Sequence, residues 1–291
     1  MRVMIYWLRH RTAYEYAQTV DLAAHLLHLK PRALPGQRVL SARLICQPRP
    51  EHHTETHDNF GNAATRLFLV APHTSFEVTA ESMVEVEFVA PPPEAQTLPW
   101  EQVAATGGGA ETADYLQPTP HVPILAEATA YARPSFPAGR PVLEGLLDFN
   151  RRIRKDFKFQ AGVTSTTTPI AEVLRERRGV CQDFTQVMLA ALRGLGLPAR
   201  YVSGYVRTRP PAGQQRRRGA DQSHAWVSAW LGEGQGWVQL DPTNGIVVRD
   251  EHVILAWGRD FSDISPLRGV LLGGGEHKLT VSVDLEPESE R

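Results

Sequence analysis

The sequence predicts an α+β protein, with an antiparallel, β-sandwich-like domain at the amino terminus and a domain of mixed helices and strands after it. Two observations support this fold class. Residues 1–90 contain segments of near-alternating polarity punctuated by Pro, Gly and Asn, which is typical of antiparallel strands. Between Val142 and Leu195 the apolar residues recur at helical spacing, and strands rich in β-branched and aromatic residues follow.

Length and composition limit the class of protein. The chain has 291 residues, of which 42% are hydrophobic, so it can bury the cores of two domains. Its 31 basic and 32 acidic residues give a net charge of −1, so no global field attracts nucleic acid or an anionic membrane. No apolar run approaches the roughly 18 residues of a membrane-spanning helix. Two cysteines and an amino terminus without a signal-peptide pattern predict a cytoplasmic protein.

The first domain is expected to occupy residues 1–90. Within it, the segment "HDNFGNAA" from His57 to Ala64 predicts the tip of a hairpin, because Asp, Asn and Gly accept the positive φ angles of such turns. The Pro-rich and Gly-rich interval 91–118 is expected to be a linker with little structure of its own.

A second domain is expected at residues 119–258. Helices are predicted from Val142 to Phe157, from Thr168 to Gly179, and from Cys181 to about Leu195. Three strands follow, with the sequences "ARYVSGYVRT", "SHAWVSAWL" and "GWVQLDPT". The last segment, 259–291, holds one more alternating strand, "HKLTVSVDLEP", which could return to the sheet of the first domain.

The position of Cys181 indicates chemistry. It stands where a glycine-containing turn becomes a long apolar helix. A thiolate in the first turn of a helix faces unsatisfied backbone N–H groups and the positive end of the helix dipole, and both effects lower a cysteine pKa from its free value of about 8.5. The alternative is a small buried apolar side chain on a helix face. The position and the strands that follow favour a nucleophile.

Two strands after this helix supply the partners that such a nucleophile needs. His224 lies on the first of them, and Asp241 lies at the end of the next, after a short turn. Two antiparallel strands joined in this way can set an imidazole beside a carboxylate, which fixes the tautomer and holds the ring towards the sulfur. Taken singly, His224 is as well explained as a strand histidine and Asp241 as a turn former.

The three segments together resemble the transglutaminase-like superfamily, and in particular its bacterial members. The similar motifs are "RRGVCQDFTQVMLAALRGLGLPARYVSGYV", "HAWVSAWL" and "GWVQLDPTNG". The flanks "YEYAQTVDLAAHLLHLKPR" and "GRDFSDISPLRGVLLGGGEHKLTVSVDLEP" also resemble those proteins, so nearly the whole chain is covered. The resemblance implies a papain-like transglutaminase core that carries a catalytic cysteine, histidine and aspartate at Cys181, His224 and Asp241.

The resemblance further implies a thiol enzyme that acts on an amide in a peptide or protein substrate. Hydrolysis of a peptide or isopeptide bond is the favoured activity, since no calcium site or dedicated amine pocket is evident. Transfer to an amine, as in a protein-glutamine gamma-glutamyltransferase, is the first alternative, and a catalytically silent peptide-binding or protein-binding module is the second. The backbone N–H of Cys181 and the side chain of Gln160 are the candidate oxyanion donors.

Other residues are weaker candidates for substrate contact. Asp183 could tune the thiol or hold a substrate amine, although a first-turn carboxylate that favours the helix dipole is the preferred interpretation. Trp226 could form a wall of the cleft, although strand tryptophans usually pack in a core. Three arginines on the loop before the histidine strand could meet an acidic substrate, although most charge runs are solvated. They are Arg216, Arg217 and Arg218.

No cofactor and no metal are expected. The segment "EHHTETHD" contains His52, His53 and His57, which invites a metal interpretation. The segment is predicted to be extended, however, and residues i and i+4 of a strand lie about 13 Å apart, too far to share one ion.

Overall fold

The computed structural model describes residues 3–208 and 222–290. Its strands are β1 (Val3–Leu27), β2 (Gln37–Gln47), β3 (His52–His57), β4 (Ala63–Leu69), β5 (His73–Glu87), β6 (Lys158–Phe159), β7 (Arg178–Gly179), β8 (Ala199–Val206), β9 (Gln222–Trp230), β10 (Trp237–Asp241), β11 (Ile246–Val247), β12 (His252–Gly258), β13 (Leu267–Gly273) and β14 (His277–Pro287). Its α-helices are α1 (Trp100–Thr106), α2 (Ala126–Ala132), α3 (Val142–Asp156), α4 (Ile170–Glu176) and α5 (Cys181–Gly194). None of the helices in these two ranges is long and apolar enough to cross a membrane.

The predicted α+β class and the antiparallel amino-terminal β domain are confirmed. Seven strands form one sheet with the order β2-β5-β1-β4-β3, and β13 and β14 also pair with β1. One strand of this sheet, β1, runs unbroken for 25 residues. No Gly or Pro interrupts that stretch of sequence, so nothing ends the extended backbone. The strand at the carboxyl end, β14, lies antiparallel to β1, with Tyr6 opposite Pro287.

The interval 91–118 differs from the predicted linker, because it contains α1 and two short 3₁₀ helices, Glu94–Gln96 and Ala113–Leu116. Trp100 and Val103 of α1 are buried in the main core. A seven-residue helix is too short to show a clear helical period in a sequence rich in Gly and Pro. The segment is therefore a packed part of the second domain.

The second domain is built from helix α5 and a five-stranded antiparallel sheet of order β11-β10-β9-β8-β12. Side chains on β9 alternate between the two faces of this sheet. Ala225 and Val227 belong to the core that includes Phe184 and Met188 of α5, whereas Trp226 belongs to a separate cluster. The predicted helices at 142–157 and 181–195 are confirmed as α3 and α5, each ending one residue earlier than predicted.

The two domains are joined by a shared core and by buried amides. Tyr6 of β1 packs in the same cluster as the helices of the second domain. The side chain of Gln37 donates to the Ile254 carbonyl and accepts from the Ile254 N–H, both at 2.8 Å. Asn62 likewise accepts from the N–H of Trp257 at 3.0 Å and donates to its carbonyl at 2.8 Å. Side chains of the amino-terminal domain thus satisfy backbone groups on the free edge of β12. These bonds fix the position of one domain against the other.

Candidate active site

Cys181 is the first residue of α5, as predicted, and its thiol is free and partly buried. The start of the helix is fixed by Asp183, whose Oδ2 accepts the Val180 N–H at 2.7 Å and the Thr164 hydroxyl at 2.7 Å. A carboxylate at this position satisfies an orphan N–H and favours the helix dipole. Asp183 is only 2% exposed. Its geometry therefore favours the capping interpretation over contact with a substrate amine.

A short parallel bridge brings Gln160 close to the cysteine turn. Strand β6 pairs with β7, and the Gln160 N–H donates to the Gly179 carbonyl at 2.8 Å. Gly179 stands two residues before Cys181, and a Cβ there would lie 2.5 Å from Oδ2 of Asp183. Only glycine therefore leaves room for the capping carboxylate. The bridge places the backbone of Gln160 beside the turn that precedes Cys181, although the two residues are 21 positions apart in sequence.

His224 and Asp241 meet as expected for neighbouring antiparallel strands. The Nε2 atom of His224 lies 2.8 Å from Oδ2 of Asp241, with the histidine 9% exposed and the aspartate fully buried. Burial alone lowers the pKa of His224. Hydrogen bonds to Asp241 and to Cys181, together with the charges of both groups, outweigh burial and raise the pKa well above 6.5. The ring therefore contacts the Asp241 carboxylate, and the thiol of Cys181 lies near enough to help raise the pKa of the ring.

The Asp241 carboxylate is held by a ring of donors at the end of β10. Its Oδ1 accepts the N–H groups of Thr243 at 2.9 Å and Asn244 at 3.1 Å, and its Oδ2 accepts the Asn244 side-chain amide at 2.6 Å. Burial by itself raises the pKa of Asp241, but the hydrogen bonds from His224, His252 and Asn244 outweigh burial and lower the pKa well below 3.8. A carboxylate held ionised in this way can stabilise an imidazolium beside it.

His252 is part of the site, and the sequence analysis missed it. Its Nε2 lies 3.4 Å from Oδ2 of Asp241, and its ring meets the Trp226 ring edge-on at 5.3 Å. It begins β12, which is separated from β9 by β8. Gly204 of β8 leaves the space for this contact, because a Cβ there would lie 2.5 Å from the Trp226 ring. A lone histidine on an apolar strand gives no sequence signal for such a role.

The remaining candidates for substrate contact divide into two groups. Trp226 is fully buried, and its Nε1–H donates to the Gln239 side chain at 2.7 Å. The suggestion that it forms a wall of the cleft is therefore wrong, because Trp226 packs behind the histidine in the core. Arg216, Arg217 and Arg218 lie outside the described residues.

Within the described ranges, one group of side chains could hold a metal ion. The ligand atoms of His224, Asp241 and His252 all lie within 4.8 Å of one another. In the structure these atoms hydrogen-bond to each other instead. His52, His53 and His57 lie on the extended strand β3, as the sequence predicted.

The geometry therefore places a thiol, an imidazole and a buried carboxylate in sequence. Such a set can activate sulfur as a nucleophile, accept its proton on the ring and stabilise the resulting positive charge. The aspartate also fixes which ring nitrogen is free, since Nε2 is engaged and Nδ1 remains for the sulfur.

Comparisons with known proteins agree with this geometry. A family model described as the transglutaminase-like superfamily matches residues 130–242, which include Cys181, His224 and Asp241. A protein of Mycobacterium tuberculosis is 38% identical over 97% of this chain and 92% of its own. The chain belongs to the transglutaminase-like superfamily. The resemblance predicted from three sequence motifs is thus confirmed.

Other comparisons extend the match over both domains of this superfamily member. Residues 6–85 match the bacterial transglutaminase-like N-terminal region. A protein of Mycobacterium leprae is 30% identical over 95% of this chain and 96% of its own. A crystal structure from Cytophaga hutchinsonii, described as a candidate cysteine protease, has a TM-score of 0.79 and 21% identity, and the match covers 99% of this chain and 92% of that one. At that identity the likeness shows the fold alone.

Proposed function

We propose that the protein is a thiol-dependent hydrolase that cleaves a peptide or isopeptide bond through an acyl-enzyme on Cys181. The observation that carries this proposal is the buried His224–Asp241 pair, whose imidazole lies near the thiol at the start of α5. An imidazole with a raised pKa can accept and hold the proton that the sulfur gives up when it attacks.

In the first half of the reaction, the sulfur of Cys181 attacks the carbonyl carbon of the amide. The negative charge that develops on the carbonyl oxygen is accepted by the Cys181 backbone N–H and the Gln160 side chain. The C–N bond then breaks, and His224 gives its proton to the departing amine. Asp241 keeps the ring oriented and stabilises its charge throughout this step.

In the second half, water attacks the thioester carbon and its proton passes to the free ring nitrogen of His224. The C–S bond breaks, and the proton on the His224 ring is again shared between that ring and the sulfur of Cys181. The products are a carboxylic acid and the enzyme in its starting state. Asp241 remains ionised, because its donors hold the pKa of its carboxyl below the ordinary range.

Transfer to an amine is the second candidate function. A protein of Pseudomonas aeruginosa named protein-glutamine gamma-glutamyltransferase is 41% identical over 68 residues, which are 23% of this chain and 10% of that protein. In this reaction a primary amine replaces water at the thioester. The two candidates share every step up to the acyl-enzyme.

Alkylation with iodoacetamide near pH 7 tests the shared part of the proposal. Cys181 should react faster than a free thiol, and the rate should fall in His224→Ala. Cys46 is the internal control, since burial raises the pKa of its thiol to about 11 and should keep it slow. Equally slow alkylation of both cysteines in the folded protein would contradict the proposal and favour a silent binding module.

A peptide library incubated with a labelled primary amine then separates hydrolysis from transfer. Free acid as the only product supports the proposed hydrolase, and amine incorporated into product supports the transferase. Cys181→Ser should abolish either product while the protein keeps its fold. Loss of folding in that variant would contradict a catalytic role and indicate a packing role for the cysteine.

A further inference from the structure

A cavity of about 410 Å³ lies between the two domains. Its first wall comes from residues 34–37 and 86–90 of the amino-terminal domain and from the two residues that follow them, and its second wall comes from the sheet of the second domain. Neither Cys181 nor His224 lines it. Its size is that of a site for a small ligand.

Arg200 on the sheet wall of this cavity is unusual. Its guanidinium lies 3.5 Å from the centre of the Trp237 ring and 4.6 Å from that of Trp257. It makes no hydrogen bond or ion pair with any residue in the described ranges, and its Nε atom is buried without a partner. Arginine presents its N–H donors in the plane of the group, and the two indoles can cover only the faces. Its donor edge is therefore unused.

Burial lowers the pKa of Arg200 to about 10, and the charge of Arg32 acts in the same direction. Tyr115 and Glu111 act in the opposite direction, but no acid within the described ranges forms an ion pair with Arg200. Among the described residues of the lining, Glu87 is the one carboxylate, and it makes no ion pair with Arg200, whereas Arg249 adds a second positive charge. An anion would thus find two cations against one acid. A carboxylate matches the planar donor edge of a guanidinium and forms two parallel hydrogen bonds with it.

The rest of the lining favours an apolar body on that anion. Val247, Ile254 and Phe88 line the cavity together with the two tryptophans. The guanidinium of Arg200 has no acceptor within the described ranges, and a carboxylate supplies one.

We propose that the interdomain cavity binds a carboxylate with an apolar body, held through its two oxygens by Arg200 between Trp237 and Trp257. The carboxylate can belong to a small organic acid or to the free carboxyl end of a peptide, since the chemistry recognised is the same. The site is separate from the thiol, and it adjoins the active site through His252.

Calorimetric titration of the full chain tests this site without any measurement of activity. The probes are N-acetyl-leucine, which represents a peptide carboxyl end, and octanoate, which represents a small organic acid. The neutral comparison is N-acetyl-leucinamide. At least one carboxylate should bind saturably, and the matched amide should bind at least about tenfold more weakly, because it loses a charge-assisted pair. The stronger of the two carboxylates identifies the source of the ligand.

Two variants assign the binding to this cavity. Arg200→Met keeps an unbranched stem between the indoles and should weaken the carboxylate at least about tenfold. Val89→Glu places a negative charge on the lining at a position that is 65% exposed, and it should also weaken binding while folding is unaffected. Arg268→Met, at an exposed arginine outside this cavity, is the matched control and should bind as the wild type does.

Three results would overturn the proposal. They are no saturable binding of either carboxylate at millimolar concentration, equal binding of N-acetyl-leucine and its amide, and unchanged binding in both Arg200→Met and Val89→Glu. None of these results bears on the thiol chemistry, because Cys181 takes no part in the measurement.

Discussion

The Nε2 atom of His252 lies 3.4 Å from Oδ2 of Asp241, the same oxygen that Nε2 of His224 approaches to 2.8 Å. One oxygen of Asp241 therefore contacts two imidazole rings. His224 lies beside the thiol, and His252 lies on the edge strand β12. The contact from His252 restrains the Asp241 carboxylate while that carboxylate bonds to His224. This makes His252 a positioning residue for the proposed reaction, acting through the carboxylate.

Replacing His252 should separate positioning from folding. His252→Phe keeps a planar ring beside Trp226 and removes the donor to Asp241, so the alkylation rate of Cys181 should fall about tenfold, the effect of one charge-assisted hydrogen bond. The pH at which alkylation is half-maximal should also move, because the carboxylate that stabilises the imidazolium is less well held.

His252→Gln, which can still donate a hydrogen bond, should recover part of the rate. His277→Phe, at an exposed histidine on β14, is the control and should leave the rate unchanged. A His252→Phe protein that alkylates at the wild-type rate with the wild-type pH profile would remove the positioning role.

Gly204 controls whether His252 can reach the site at all. A Cβ at this position would lie 2.1 Å from the Val253 carbonyl oxygen and 2.5 Å from the Trp226 ring. Gly204→Ala should therefore displace β12 or the tryptophan, lower the free energy of unfolding by about 1–3 kcal/mol, and slow Cys181 alkylation. Denaturant unfolding gives the first quantity.

Gly108→Ala is the matched control, since no atom lies within 4 Å of the added Cβ, and its effect on stability should stay within about 0.5 kcal/mol. Equal stability of the two variants would show that the sheet adjusts without cost.

The sequence predicted those parts of the site that local patterns encode. Cys181 follows a turn and begins a strongly apolar helix, and His224 and Asp241 stand on adjacent strands joined by a short turn. Each of these relations is visible within a few dozen residues. His252 reaches Asp241 only because β12, which follows β11 in the chain, pairs with β8 at the other side of the sheet. That order of strands is a tertiary property.

The same distinction explains the other differences. Residues 91–118 are predicted to be a linker because Pro and Gly cluster in them. In the structure, however, Trp100 and Val103 are buried against helices that are distant in sequence. The sequence allows Trp226 to lie either in the cleft or in the core, because strand alternation alone does not show which face of a sheet is covered. The amino-terminal domain covers that face, with Leu34 packed against the cluster that contains Trp226.

Asp183 gives a test of the capping interpretation. Asp183→Ala removes the acceptor for the Val180 N–H and the Thr164 hydroxyl, so it should lower the free energy of unfolding by about 1–3 kcal/mol. Thr164→Val removes only one of these two bonds and should cost less. Denaturant unfolding measures both variants. An Asp183→Ala protein of wild-type stability that has lost only substrate binding would favour the alternative, in which Asp183 holds a substrate amine.

The last prediction concerns acid stability and rests on His10, which is buried at the contact between the two domains. Its Nδ1 lies 2.6 Å from the Tyr205 hydroxyl and its Nε2 lies 3.1 Å from that of Thr12. Burial lowers the pKa of His10 from 6.5 to about 4. Between these values the unfolded chain binds a proton that the folded chain does not, so the free energy of unfolding falls as the pH falls from 6.5 towards 4.

The loss from His10 is at most about 3.4 kcal/mol, which follows from 1.36 kcal/mol for each unit of pKa difference. His25 is also buried, and burial likewise lowers its pKa to about 4, so it contributes in the same direction. His10→Gln retains a polar side chain that can bond to Tyr205 but does not titrate, so its unfolding free energy should depend less steeply on pH between 6.5 and 4. His53→Gln, at an exposed histidine, should leave the slope unchanged. Denaturant unfolding at several pH values measures the slopes, and a His10→Gln slope equal to that of the wild type would mean that His10 already binds its proton in the folded state.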